Sequence, residues 1–275
     1  MHGKDDRMQK NKNTSLTAKT LDDIIFHLNS LTALNITGGC TACTAEDVHS
    51  ISVFRVPELC SIEKHERFIE FGPGVTLSEM IKVRKSNLPS VLYDALTTVA
   101  TETIRNIATL GGNICIRNPY GTLFAPLYAL NARLEFHKHN EVFYIPFSKF
   151  NEVPKDSVLT KIRVPLDEWE IEVFKRFGPS SILTDMSAGF VFLANTQKDI
   201  ITNVRIVFAG KILFSSKEIE NKIIGVRLPI DERYISTVIE ETAEYLNEKN
   251  IFSEKEDILK NQFLNLLRLS LEQLG

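Results

Sequence analysis

Two glycine pairs constrain this chain more than any other feature: Gly38-Gly39 in "ALNITGGCTACT" and Gly111-Gly112 in "TIRNIATLGGNI". Glycine admits positive φ and lets another group approach bare main chain. Consecutive N–H groups in such a turn form a concavity that suits an anion. The first pair follows a short apolar strand, and the second follows a helix and a short extended piece. Two such loops converging on one pyrophosphate suit a dinucleotide, while either pair alone reads equally as an ordinary turn. Neither matches G-x-G-x-x-G or G-x-x-x-x-G-K-[ST], so Rossmann and P-loop readings are unsupported. From the residues alone, the reading stops at an α+β protein with a phosphate-binding cleft.

Periodicity supplies the elements around those pairs. "SLTAKTLDDIIFHLNSL" reads as a helix, with Thr20 as cap and Asp22 and Asp23 at its positive end. Strands are expected in "ALNIT", "HSISVFRVPEL" and "RFIEFGPG". "TLSEMIKVRKS" opens with a capping box, Thr76 and Glu79. "SVLYDALTTVATETIRN" reads as one helix, with Leu92, Ala95, Leu96 and Val99 on one side. A short helix and a hairpin turning near His139 and Asn140 follow. "VLTKIRVPLDEWEIEVFKRFG" is strand, linker and strand, and "SAGFVFLANTQKDIITNVRIVFAG" is two strands turning at Gln197 to Asp199. The remainder is helical, ending in an amphipathic docking helix. The result is two α+β lobes joined near residues 161 to 170.

Bulk properties exclude several function classes. The chain has 275 residues, 43% hydrophobic and 24% charged, which allows a sizeable core. A net charge of -3 gives no basis for a nucleic-acid or anionic-membrane surface. No apolar run approaches the length of a bilayer span. The first fifteen residues, "MHGKDDRMQKNKNTS", lack an apolar signal core and read as a disordered tail. A cytoplasmic protein is expected. Cys40 and Cys43 have the spacing of a redox pair or of half a zinc site, but no second half follows at a useful distance. They read as two small, semi-buried thiols, and no metal site is expected.

"TIRNIATLGGNI" resembles the signature IRN-x-A-T-[LVI]-G-G-N of the FAD-binding medium subunits of molybdenum hydroxylases, the xanthine dehydrogenase and carbon monoxide dehydrogenase family. "NITGGCT", "FGPGVTLSEM", "FAPLYALNARLEF", "VLTKIRVPL" and "FKRFGPSSILTDMSAGFVF" resemble further family segments in the family's order. The resemblance implies an FAD-binding fold of the p-cresol methylhydroxylase (PCMH) type over residues 16–164. An α+β C-terminal domain of the CO dehydrogenase flavoprotein type, a three-stranded sheet plus helices, is implied over residues 168–275. The implied function is an electron-transfer subunit. Electrons would come from a molybdopterin-binding large subunit through a 2Fe-2S small subunit to FAD, and then pass to NAD or another acceptor. No catalytic side chain is implied on this chain.

Position by position, the resemblance places Thr37, Gly38, Gly39, Cys40 and Thr41 in a first loop that binds pyrophosphate through backbone N–H groups. Thr109, Gly111, Gly112 and Asn113 form the second. Val99 lies near the adenine, Leu159 puts its backbone against the isoalloxazine, and Lys175 faces the flavin from the second lobe. Ile116 stands where relatives often carry a polar residue. The sequence departs from the family at two carboxylates: Gly-Gly-Cys-Thr ends the first loop with Thr41, and Thr122 stands where an Asp near a ribose hydroxyl is usual. That departure keeps a flavin-free assembly or scaffolding relative open as an alternative. A reductase of the UDP-N-acetylenolpyruvoylglucosamine type shares the broad fold, but its motifs are not recognised here.

Overall fold

The structure is a computed structural model that describes residues 14–31, 34–42, 49–54, 56–117, 119–139, 141–179 and 182–274. Cys43 and Asn140, and most of the expected tail, lie outside those residues. Thr14 and Ser15, assigned above to the tail, instead begin a strand. This is β1 (Thr14–Thr17), followed by α1 (Leu21–Ser30), β2 (Leu34–Thr37) and β3 (His49–Ser52). The three strands form a parallel sheet in the order β1-β3-β2. Helix α1 begins with a reciprocal cap. The Asp23 N–H donates to Thr20 Oγ1 at 3.2 Å, and the Thr20 N–H donates to the Asp23 carboxylate at 3.1 Å. The helix then buries Ile24 with Ile51, Val53 and Leu59 in a small core of its own.

The rest of the first lobe is larger. It contains β4 (Ile62–Lys64), β5 (Phe68–Phe71), α2 (Leu77–Lys82), α3 (Ser90–Thr98) and α4 (Glu102–Arg105). After these come α5 (Leu110–Cys115), α6 (Phe124–Ala129), β6 (Arg133–Lys138), β7 (Glu141–Pro146) and β8 (Val158–Pro165). The strands build an antiparallel sheet in the order β4-β5-β8-β6-β7. The Thr76–Glu79 capping box opens α2 as expected. The single helix expected over residues 90–106 is two helices. Val99 and Thr101 are extended and Ala100 has φ 47°. The Arg105 guanidinium curls back to donate to the carbonyls of Val99 and Ala100, both at 2.8 Å. β-Branched residues crowd this stretch and weaken helix propensity, and the arginine satisfies the carbonyls left open.

The second lobe has β9 (Ile171–Phe177), β10 (Ala188–Gln197), β11 (Ile200–Ala209), β12 (Leu213–Phe214), α7 (Lys217–Ile223), α8 (Glu232–Glu248) and α9 (Asp257–Glu272). Its sheet has four antiparallel strands rather than three, because the two-residue β12 pairs with β11. The turn between β10 and β11 has Lys198 and Asp199 at φ 52° and 60°, as a two-residue hairpin loop requires. Both faces of this sheet are covered. Phe190, Phe192 and Phe208 face α8 and α9, in a core centred on Phe263. Val191, Leu193 and Val207 join the first lobe's core, with α6 lying across β10 and β11. The lobes therefore share one apolar core.

Strand β9 is the seam. Ile171, Val173 and Phe177 pack toward the helices of the second lobe, while Phe174 enters the shared core. On the same face as Phe174, Glu172 accepts from the Val91 N–H at 3.2 Å. Helix α3 has no side-chain cap of its own, so this carboxylate from the other lobe supplies one. Burial pushes the Glu172 carboxyl above its ordinary value of 4.5, against the pull of the Val91 and Ser90 N–H groups. The folded protein thus holds this proton to higher pH than the unfolded chain, so its contribution to stability is full below 4.5 and fades as pH rises through the raised value. Replacing it, Glu172→Gln, removes that loss. The urea midpoint of the variant relative to wild type is expected to rise between pH 4.5 and neutrality.

Candidate functional site

The two glycine pairs meet. A Cβ on Gly39 would lie 1.7 Å from the Ile107 carbonyl oxygen, and one on Gly38 would lie 2.5 Å from Thr109 Oγ1. Neither glycine has a positive φ. What excludes a side chain is therefore the approach of the second segment's backbone, not the turn conformation. Gly111 is bare for a similar reason, because its Cβ would lie 2.7 Å from Pro73 Cβ. Gly112 differs. A Cβ there would meet only Thr109 Oγ1, at 3.1 Å, and the residue is exposed. Of the four glycines it is the one whose bare face opens on the cleft.

The second glycine pair is not a loop, as the sequence suggested, but the first turn of α5. Thr109 caps it, and its hydroxyl accepts from the Gly112 N–H at 3.2 Å. The Leu110 and Gly111 N–H groups donate to Val75 O and Pro73 O, both at 2.9 Å. These donors are spent within the protein, so this end of the helix is not the anion cradle. The first loop is the better one. Among the described residues, the N–H groups of Gly38, Gly39, Cys40 and Thr41 find no acceptor. Cys40 sits at φ 53° and turns the chain out of β2. Unspent N–H groups on consecutive residues beside a cleft are what a diphosphate requires.

The cleft has two arms that meet across Gly38, Thr109, Gly112 and Cys115. One arm, of about 410 Å³, is largely apolar. Leu28, Leu31, Leu34, Val53 and Leu159 line it, with Lys155 and Asp156 exposed on its rim. The other, of about 580 Å³, runs from the Thr37–Ala42 loop past Val99, Asn113, Ile116 and Thr122 to Arg176, Ile182 and Leu183 of the second lobe. The helix break at Val99 brings that residue to the wall. Asn113 is buried, and its Oδ1 accepts from the Leu123 N–H at 3.1 Å, the turn-capping role its position allows.

Thirteen of the fourteen residues expected at the site thus line this cleft. Lys175 does not. It is exposed, and it alternates with the face of β9 that turns to the first lobe. Arg176 occupies the cleft in its place, donating to Thr122 Oγ1 at 3.3 Å and to Gly178 O at 3.2 Å. Burial draws the Arg176 guanidinium below its ordinary value. Leu159 lines one arm, and the second-lobe residues Arg176, Ile182 and Leu183 line the other. Arg117, unanticipated from sequence, packs over the rings of Tyr120, Phe124 and Phe150. It donates to the carbonyls of Ile114 and Ile116 at the end of α5. Away from the cleft, Glu63, His65 and Glu70 cluster within 4.8 Å. Glu70 already accepts from Arg163 and Lys161, which offset its burial and hold its carboxyl below the ordinary value.

The sequence model of the FAD binding domain in molybdopterin dehydrogenase matches residues 14–167. The chain belongs to that family. A putative xanthine dehydrogenase FAD-binding subunit of Escherichia coli K12 is 29% identical over 157 residues, covering 56% of this chain and 51% of that protein. The xanthine dehydrogenase of Drosophila pseudoobscura pseudoobscura is 36% identical over 97 residues, 32% of this chain and 7% of that protein. This chain therefore spans about half the length, or less, of those relatives. Among solved structures, a chain of quinoline 2-oxidoreductase from Pseudomonas putida 86 superposes with TM-score 0.77 at 16% identity, covering 95% of this chain and 94% of that one. A chain of carbon monoxide dehydrogenase from Hydrogenophaga pseudoflava superposes with TM-score 0.78 at 15% identity, covering 95% of each. At such identities the likeness is one of fold, and it supports the two-lobed α+β arrangement expected above. Membership makes residues 14–167 an FAD-binding domain of the molybdopterin dehydrogenase type. The meeting of the glycine segments, the unspent N–H groups of the first loop and the two-armed cleft fit that cofactor.

The glycines separate folding from binding. Gly39→Ala and Gly111→Ala force main chain or Pro73 to move, and each is expected to cost about 1–3 kcal/mol or more. Gly112→Ala needs only a few tenths of an ångström from the Thr109 hydroxyl and is expected within about 1 kcal/mol of wild type. Thermal unfolding of the three variants side by side checks the order.

Proposed function

We propose that this chain is the electron-transfer subunit of a xanthine dehydrogenase-like or CO dehydrogenase-like molybdenum hydroxylase. A molybdopterin-binding large subunit and a 2Fe-2S small subunit are its partners, and NAD or another acceptor takes the electrons. The observation that carries the reading is the convergence of the first-loop N–H groups with Gly112 at the junction of two arms. Bound there, FAD supplies the two-electron redox chemistry.

The residues of the chain bind, orient and shield it. The N–H groups of Gly38 to Thr41 hold the diphosphate, and bare Gly112 lets it cross between the arms. The apolar arm at Leu28, Leu31 and Leu159 suits the adenine end. The arm at Val99, Asn113, Thr122 and Arg176 suits the flavin ring, because only there does the second lobe close over the cleft. This reverses the sequence expectation for Val99 and Leu159. Ile182 and Leu183 add apolar surface to that arm, and Asn113 lines it. A cytoplasmic setting, in which Cys40, Cys60 and Cys115 stay reduced, belongs to the same reading. Among the described residues, no helix is long and apolar enough to cross a membrane.

A second reading, a flavin-free assembly relative, is favoured by one observation. Thr41 and Thr122 leave the ring arm without a carboxylate among its described lining residues. Expression of the chain with its genomic neighbours, followed by visible spectroscopy and cofactor analysis of what co-purifies, separates the two. Near-stoichiometric FAD with molybdenum- and iron-bearing partners is expected. A colourless chain that takes up no FAD when it is added would sink the electron-transfer role. Gly112→Val, which places bulk where the diphosphate crosses, is expected to weaken FAD binding about ten- to a hundred-fold, or about 1.4–2.8 kcal/mol. Fluorescence titration of the apoprotein measures this.

A further inference from the structure

Two thiols open on the cleft. Among the described residues, Cys40 and Cys115 are exposed free cysteines. Cys40 lies in the first loop, among the N–H groups that find no acceptor, and lines the larger arm. Its thiol donates back to the Gly38 carbonyl at 3.8 Å, which holds the sulfur over the start of the loop. Cys115 is the last residue of α5 and lines both arms. It follows Gly112 by three positions, a spacing that puts the two on one face of the helix. One thiol thus stands on the loop that holds the diphosphate, and the other beside the glycine at which the diphosphate crosses. Cys60 differs. It is partly buried and lines neither arm, and a Cβ on Gly74 would meet its sulfur at 3.0 Å. The Cys115 sulfur reaches the cleft, yet protein packed around it pushes its thiol above the ordinary value of 9.0, against the pull of the Arg117 guanidinium. Its thiolate therefore forms mainly in alkaline solution.

We propose that Cys40 and Cys115 are modification sites at which small disulfides close the cleft to FAD, and that bound FAD shields both. The inference rests on FAD occupying the cleft as described under Proposed function. A cysteine thiolate attacks one sulfur of a disulfide RS–SR. A bond forms between the cysteine sulfur and that sulfur, the S–S bond of the reagent breaks, and RS⁻ leaves and takes up the proton that the cysteine gave up. The disulfide is the only oxidant consumed. The added RS group then occupies the loop or the crossing at Gly112, where the diphosphate requires bare main chain. A disulfide that carries carboxylates suits the site, since the unspent N–H groups of the loop attract negative charge. A dithiol reverses the exchange and reopens the cleft. Loading of the cofactor is thereby tied to reducing conditions, while a chain that already carries FAD is protected.

The test treats the full-length apoprotein and the FAD-loaded protein with oxidised glutathione at mildly alkaline pH, and locates the adducts by peptide mass. In the apoprotein, adducts are expected on Cys40 and Cys115. FAD affinity, read by fluorescence titration, is expected to fall about ten-fold or more and to recover on adding dithiothreitol. Saturating FAD is expected to slow both adducts about ten-fold or more and to leave the rate at Cys60 unchanged. The Cys40→Ser/Cys115→Ser variant keeps both main-chain N–H groups and the other two cysteines, Cys43 and Cys60. Its FAD affinity is expected to be the same before and after treatment. Three results overturn the proposal: a loss on treatment in this variant as large as in wild type, undiminished FAD affinity in a chain modified at both sites, or adducts that form as fast with FAD bound. Should the variant fail to fold, the wild-type adduct map and its shielding by FAD decide. An untreated, reduced wild-type chain that binds no FAD would instead overturn the flavin reading.

Discussion

The backbone of Gly39 lies so close to the carbonyl of Ile107 that no Cβ fits between them. That contact ties the small parallel sheet to the segment entering α5, and everything at the cleft follows from it. It turns the first loop's N–H groups along the cleft instead of into a neighbour. It places Thr109 at the crossing, where one hydroxyl both caps α5 and abuts Gly38. It also leaves Gly112 open, since the other three glycines are filled against by the protein itself. Glycine here serves close approach rather than unusual φ, so the requirement is steric and strict.

A second constraint is the sharing of one core by both lobes. Strand β10 of the second sheet is buried on both faces over Ala188–Ala194, which is why "GFVFLA" is apolar at consecutive rather than alternate positions. Strand β9 carries the seam, with a carboxylate capping α3 at one end and a guanidinium at the cleft at the other. A lobe fixed in this way holds that charge at a defined place in the cleft. A lobe hinged on a linker could not. The electrostatics of the cleft and the packing of the core are therefore properties of the same seven-residue strand.

Local chemistry made much of the fold legible. The Thr20 and Thr76 caps, the hairpin at Lys198-Asp199 and the helical C-terminus follow from rules that act within a few residues. The helix break at Val99 is only partly legible, because the β-branched residues weaken the helix locally while Arg105 satisfies carbonyls that a continuous helix would have paired. The two-residue β12 was missed because so short a strand exists only through its partner. Arg176 carried a readable signal, namely its alternation with Lys175 after an apolar Phe174. The resemblance had drawn attention to the lysine.

By itself the sequence determined the glycine positions, the caps, the apolar periodicities and the family signature, because each is written in residues adjacent along the chain. Tertiary structure alone decided that Gly39 is bare against Ile107 while Gly112 is bare toward the cleft. It decided that α5's leading N–H groups are spent while the first loop's are not. It also decided that the second lobe's cation is Arg176. Each of these is settled by what lies opposite a residue in space, and packing of distant segments sets that, not local propensity.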